Sequence, residues 1–308
     1  MPRNLLYIIN PVSGTKTKKN IQQLIEKKTA GQNISFQVFP SVASGDYSFL
    51  YPIINEQSVT DVIIAGGDGT ISQVVSSLMN CDVNFGIIPC GSGNGLAYTA
   101  KIPKQTAKAL DIIFNGKSAP IDGFYINNQF ACMLSGLGFD AKVAHDFALQ
   151  PKRGLTTYVK QVIRNFFSAK AFLFELENKE INFRIRAFFI SIANSNQFGN
   201  NFIIAPRASL SDGLLDIVIV TEQSKLSVLL QTLRQLWGKN KLQPDIIANL
   251  KDIRPDGTTS RGVIYFQTDK LSINNLSHAP LHIDGEPAET PEKLIIEVKH
   301  NCFRLIQP

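Results

Sequence analysis

Three turns in the first third of the chain combine residues that could hold phosphate: NPVSGTK at 10–16, GGDGT at 66–70 and PCGSGNGLA at 89–97. Small residues let main-chain amides approach an anion closely, while Asn, Ser and Thr side chains add hydrogen bonds. Asp68 lies inside the second turn, and a carboxylate beside phosphate needs a bridging cation or a proton-handling role. The economical reading is a nucleoside triphosphate with magnesium. A single such loop could equally be ordinary strand-to-helix punctuation. No turn matches G-x-x-x-x-G-K-[ST], which argues against the common P-loop arrangement. Far downstream, HIDGEP at 282–287 supplies Asp284 and Glu286, two carboxylates that project to one side if the segment is extended. The alternative there is a solvated hairpin turn at Asp284 and Gly285.

The elements that must position these residues are legible as pattern. Over residues 4–125, apolar runs (LLYIIN, ISFQVF, DVIIA, NFGIIP, APIDGFYI) alternate with amphipathic stretches at 17–30, 44–57, 70–79 and 104–115. This alternation predicts a parallel sheet covered on both faces, with loops at the carboxyl ends of its strands facing a ligand. From about 129 the chain becomes a series of short strands with turn residues between them, which predicts an antiparallel sheet or sandwich. Only 154–171 and 224–238 read as helices there. GLGFDA at 136–141 fits a dinucleotide fingerprint, but it lies in the antiparallel region and no acidic ribose ligand follows about twenty residues on.

Composition sets outer bounds. A chain of 308 residues with 44% hydrophobic content can bury one large core or two ordinary ones. Cys81, Cys90, Cys132 and Cys302 show no metal-ligand or disulfide spacing, so buried thiols are expected. The net charge of +6 suits an anionic substrate, an anionic membrane surface or nucleic acid without choosing among them. The absence of a long apolar window or a leader-like start leads to the expectation of a cytoplasmic protein.

NPVSG, GGDGT, IPCGSGN, SGLGFDA, SDGLLDIVIV and HIDGEP, in this order over positions 10–287, resemble the diacylglycerol kinase catalytic family, which includes bacterial lipid kinases and sphingosine kinases. GGDGT is shared with NAD kinases; the later motifs favour the lipid-kinase branch. The resemblance implies an α/β nucleotide-binding domain over 1–125, a β-sandwich lipid-substrate domain over 126–290, and a closing segment near 291–308 as a candidate to return to the first. It implies ATP and magnesium as cofactors. Asn10, Ser13, Gly14, Ser41, Gly66, Gly67, Asp68, Gly69, Thr70, Ser92, Gly93 and Asn94 are then the nucleotide contacts. Glu286 is the candidate base, with Asp284 and Asp68 assisting catalysis. Asp212 with the carbonyls of Ser209 and Leu214 makes a structural magnesium site, with a plain Ser-Asp-Gly turn as the alternative, and Asp122 matches an acidic position that is either structural or catalytic.

The implied activity is phosphorylation of a hydroxyl on a long-chain lipid, diacylglycerol-like or sphingoid. Implied partners are the lipid substrate and a membrane surface met peripherally, with a homodimer as a candidate assembly and no nucleic acid. The segment 152–174, rich in Lys, Arg and Phe, suits that surface and equally suits packing on the sandwich. An NAD kinase-like enzyme and a catalytically silent lipid-binding protein are the alternatives. One departure is visible: where bacterial diacylglycerol kinases continue GTGND, this chain has Gly95 after Asn94, which leaves the acceptor lipid open.

Overall fold

The computed structural model describes residues 2–11, 18–150, 155–197, 203–222, 247–248 and 262–308. Ser13, Gly14, Lys152, Arg153 and the expected helix at 224–238 lie outside the described residues. The chain divides into two compact units, residues 1–122 with 301–308, and residues 123–300.

In the first unit the order is β1 (Asn4–Ile9), α1 (Lys18–Ala30), β2 (Ser35–Pro40), α2 (Tyr51–Glu56), β3 (Asp61–Gly66), α3 (Asp68–Leu78), β4 (Asn84–Pro89), α4 (Gly95–Thr99), α5 (Thr106–Asn115) and the start of β5 (Lys117–Ile126). The strands run parallel in the order β4-β3-β1-β2. Leu5, Leu6, Tyr7 and Ile8 of β1 and Val62, Ile63 and Ile64 of β3 are fully buried, because a parallel strand covered by helices on both faces has no solvent side. Ile71, Val74, Val75 and Leu78 form the buried stripe of α3 at helical spacing. Arg304 and Leu305, from the last strand, lie parallel to Asn84 and Phe85 of β4. Since β2 and β3 flank β1 on opposite sides, the strand order reverses between β1 and β3, the place where open α/β sheets bind ligands.

One helix is shorter than its apolar pattern predicts. Instead of spanning 44–57, it is confined to 51–56 after a 3-10 turn at Ser48–Leu50. Ser44 accepts the N–H of Asp46 and Asp46 that of Ser48, so side chains take up donors that a longer helix would use.

The second unit continues with β6 (Gln129–Ala131), β7 (Leu134–Gly138), α6 (Phe139–Ala148), α7 (Leu155–Ser168), β8 (Phe172–Glu177), β9 (Asn182–Ala193), β10 (Leu215–Thr221), β11 (Ile247–Ala248), β12 (Val263–Thr268), β13 (Lys270–Asn275), β14 (Leu281–Ile283), β15 (Glu286–Ala288) and most of β16 (Lys293–Gln307). It is an antiparallel β-sandwich organised on β9, whose first half pairs with β8 and whose second half lies between β10 and β7. Ile190, Ile192, Ile217, Ile219, Phe174 and Ile273 belong to its main core. Helix α6 was not expected from the pattern. It forms because Asp140, Ala141, Val143 and Ala144 fall on one face and are buried together.

Candidate functional site

In the first unit, the carboxyl edge of the parallel sheet gathers the turn residues. Asn10 follows β1: its main-chain N–H donates to Ala65 O at 2.9 Å and its side-chain amide donates to Thr70 Oγ1 at 2.7 Å, tying two turns across the switch point. Ser41 follows β2, where its N–H donates to Ile9 O at 2.9 Å. Gly66 and Gly67 close β3, and a Cβ on Gly66 would meet Thr70 Cβ at 2.7 Å. Asp68 opens α3 and Gly69 and Thr70 follow in its first turn, so these residues present N–H groups without acceptors inside the helix. A negative charge at that end is favourable.

The turn after β4 meets the one after β3 backbone to backbone. A Cβ on Gly67 would sit 3.1 Å from Gly91 Cα, and one on Gly91 only 2.6 Å from Gly67 Cα. Ser92 of this turn is exposed and Gly93 half-buried. Asn94 is different. It is fully buried, its Oδ1 accepts the Gly91 N–H and its Nδ2 donates to Gly91 O, both at 2.8 Å, so its side chain shapes the turn from inside. Its left-handed φ of 59° is one that Asn tolerates. The main-chain amides and small residues of these turns fit a phosphate group. Gly91→Ala should force the turns apart and weaken binding of a phosphate ligand, tested with ATP, about tenfold, in line with an overpacking cost of about 1–3 kcal/mol. Calorimetric titration giving wild-type affinity would show that the contact is not needed.

In the second unit, the segment holding Asp284 and Glu286 is not extended. Ile283 pairs with Glu286 across a two-residue turn, and Asp284 and Gly285 have φ of 48° and 84°, the geometry of a type I′ hairpin. The two carboxylates therefore part. Asp284 is buried and points inward: Oδ2 accepts the Cys132 N–H at 3.0 Å, and Oδ1 accepts those of Met133 and Leu134 at 3.0 and 3.1 Å. It holds the hairpin to the bend between β6 and β7, the work of a positioning residue and not of a proton acceptor. Glu286 is exposed at the start of β15.

Two buried residues behind the hairpin escape a reading of the sequence. Asp140 Oδ2 lies 3.4 Å from His282 Nε2, and His282 Nδ1 accepts the Gly285 N–H at 3.2 Å. GLGFDA belongs to this arrangement, since a Cβ on Gly136 would be 2.1 Å from Asp140 Oδ2. Its first glycine makes room for a carboxylate. The adjacency of His282 to the DGE turn was the available signal.

Ser209, Asp212 and Leu214 sit in the loop leading into β10. Asp212 is exposed and its Oδ1 accepts the Leu214 N–H at 3.1 Å, while Ser209 Oγ accepts the Ser211 N–H at 3.4 Å. Among the described residues no three His, Cys, Asp or Glu side chains gather to hold a metal, so a cation here would depend on Asp212, main-chain carbonyls and water. That oxygen-only set fits magnesium in donor type. Nearby, Asp216 is fully buried; burial pushes its carboxyl up to about 6, against hydrogen bonds from Tyr265 and Gln267 that pull it down. Asp122 is fully buried and accepts the Asn301 N–H at 2.8 Å, a structural bond that fixes the left-handed Asn301.

Comparison with known proteins agrees with this architecture. Residues 4–126 match the diacylglycerol kinase catalytic domain, and residues 134–254 match the YegS C-terminal NAD kinase beta sandwich-like domain. A Bacillus subtilis protein named diacylglycerol kinase is 27% identical over 288 residues, covering 91% of this chain and 88% of that one. A Shewanella frigidimarina protein named "Probable lipid kinase YegS-like" is 25% identical over 294 residues, covering 93% and 88%. A solved diacylglycerol kinase from Bacillus anthracis strain Sterne shares the fold with a TM-score of 0.69 at 16% identity, covering 99% of this chain and 97% of that one. With both domain models matched in order along one sequence, this chain carries a diacylglycerol kinase catalytic domain followed by a YegS C-terminal NAD kinase beta sandwich-like domain.

Proposed function

We propose that the protein transfers the terminal phosphoryl group of ATP to a hydroxyl of a long-chain lipid, with magnesium. The observation that supports this reading most is the joined pair of turns, GGDGT against CGSGN, beside the switch point of the parallel sheet, with Asn10 tied to Thr70 across it. Phosphoryl transfer needs positioning, charge neutralisation at the phosphates and an acceptor for the hydroxyl proton. The amides of Gly67, Gly69 and Thr70, with Ser92 and Gly93, hold the phosphates; Asn10 and Ser41 line the same edge. Asp68 would hold the cation, and Glu286 takes the hydroxyl proton. When bound, magnesium supplies positive charge at the phosphate oxygens. The acceptor is diacylglycerol-like or sphingoid, and Gly95, which leaves no carboxylate after Asn94, favours a permissive site.

The membrane face of this reading is α6 with α7. Leu149 is 81% and Ile163 56% exposed, and Lys160 and Arg164 are exposed beside them, a mixture suited to an anionic lipid surface. Among the described residues no helix is long and apolar enough to cross a membrane.

An NAD kinase-like activity is the second reading, favoured by the name of the matching C-terminal domain. Titration of the protein with ATP–magnesium and with NAD separates the two: saturable ATP binding, with no effect of NAD in the presence of ATP, is expected, and tight NAD binding would favour the alternative. Asp212 gives a separate test of the metal. Magnesium at about 100 times its Kd should stabilise the wild-type protein by about 2.7 kcal/mol, and Asp212→Ala should abolish that gain. Equal melting shifts in both proteins would remove Asp212 from any metal site.

A further inference from the structure

We propose that Asp140 and His282 are a buried positioning pair that sets the hairpin carrying Glu286 through the tautomer of the histidine ring. The inference rests on the reading of Glu286 as the proton acceptor. Both side chains lie inside the second unit, with His282 3% and Asp140 8% exposed. Register places them together: His282 of β14 is paired with Gly136 of β7, and the carboxylate of Asp140 occupies the space where a side chain on Gly136 would stand.

The hydrogen bonds fix the protons. Gly285 N–H is a donor, so Nδ1 of His282 accepts and carries no hydrogen. The hydrogen of the neutral ring is then on Nε2, directed at Asp140 Oδ2. Asp140 is itself held at the start of α6, where Oδ1 accepts the N–H of Ala141 at 2.8 Å. One helical turn further along α6, His145 Nε2 donates to Leu281 O at 2.7 Å, so the helix grips β14 at two adjacent residues. The chain of effect runs from Asp140 to the ring tautomer, to the Gly285 amide, and to the residue that follows it, Glu286. A ring protonated at both nitrogens, or at Nδ1 alone, would set N–H against N–H at Gly285 and open the turn.

Replacing Asp140 by Asn puts an amide in place of the carboxylate. With its NH2 toward Nε2, the ring is driven to the Nδ1–H form and Gly285 loses its acceptor. His282→Asn has the opposite property. Its side-chain oxygen can stand where Nδ1 stood and accept the Gly285 N–H, whereas His282→Leu cannot.

Long-range 1H–15N NMR of the full-length protein labelled at histidine should show His282 with Nε2 protonated and Nδ1 bare. Asp140→Asn should move it to the Nδ1–H form and lower kcat about 10- to 100-fold, the size seen for outer-shell partners, with KM for ATP unchanged. His282→Asn should retain at least tenfold more turnover than His282→Leu at similar melting temperature. A wild-type ring protonated at Nδ1, or equal turnover in His282→Asn and His282→Leu, overturns the positioning pair. The expected tautomers together with full turnover in Glu286→Gln would instead overturn the assignment of Glu286. If Asp140→Asn fails to fold, the wild-type spectrum and the two His282 variants still decide.

Discussion

Glu286→Gln should lower turnover on a lipid acceptor by about 10²–10⁴-fold while ATP affinity stays within about twofold of wild type. The substitution preserves size and the hairpin, since the backbone of Glu286 pairs with Ile283 whatever its side chain. It removes the carboxylate's ability to take a proton. The nucleotide contacts proposed above do not include Glu286, so ATP affinity should be retained. Turnover within threefold of wild type would leave the proton acceptor to be sought elsewhere. A parallel loss of ATP affinity would point to a misfolded turn.

Asp284→Ala should be among the most destabilising single changes in the second unit. Three buried N–H groups, those of Cys132, Met133 and Leu134, lose their acceptor. A buried donor left unsatisfied costs about 1–3 kcal/mol, so the sum reaches several kcal/mol. Alanine also fits the left-handed turn less well than aspartate, at about 1 kcal/mol. Asp284→Asn should fall between, because an amide oxygen in the place of Oδ1 keeps the bonds from Met133 and Leu134 and gives up that from Cys132. Urea titration of the three proteins should therefore rank them Asp, Asn, Ala. Equal midpoints would show that solvent or a rearranged bend replaces the carboxylate, and that the hairpin does not depend on it.

The fold class was written locally. Continuous apolar runs at β1 and β3 announce strands buried on both faces, the stripe from Ile71 to Leu78 announces a helix, and short alternating segments announce the sandwich. The glycine turns were legible for the same reason, as Gly66, Gly67 and Gly91 mark places where backbone must approach closely. What the pattern could not contain is the partner of a buried polar group. Asp284 meets amides about 150 positions earlier and Asp140 meets a histidine 142 positions later, and neither spacing leaves a periodic trace. The two carboxylates of HIDGEP looked alike for that reason, although one is turned inward and the other outward. At Asn94, likewise, Asn in a glycine turn does not reveal that its amide closes the turn on itself. Helix α6 was concealed by its glycine-rich entry, which resembles a strand end and whose first glycine accommodates Asp140.

The central claim is that a lipid hydroxyl receives the terminal phosphate of ATP. It is tested most directly by incubating the purified protein with ATP labelled in that phosphate, magnesium and mixed micelles of diacylglycerol or a sphingoid base, then counting label in the organic extract. The expected result is label in the lipid fraction from at least one of the two, dependent on magnesium and lost in Glu286→Gln. Label found in NADP when NAD is supplied, or confined to inorganic phosphate whatever lipid is present, would contradict it.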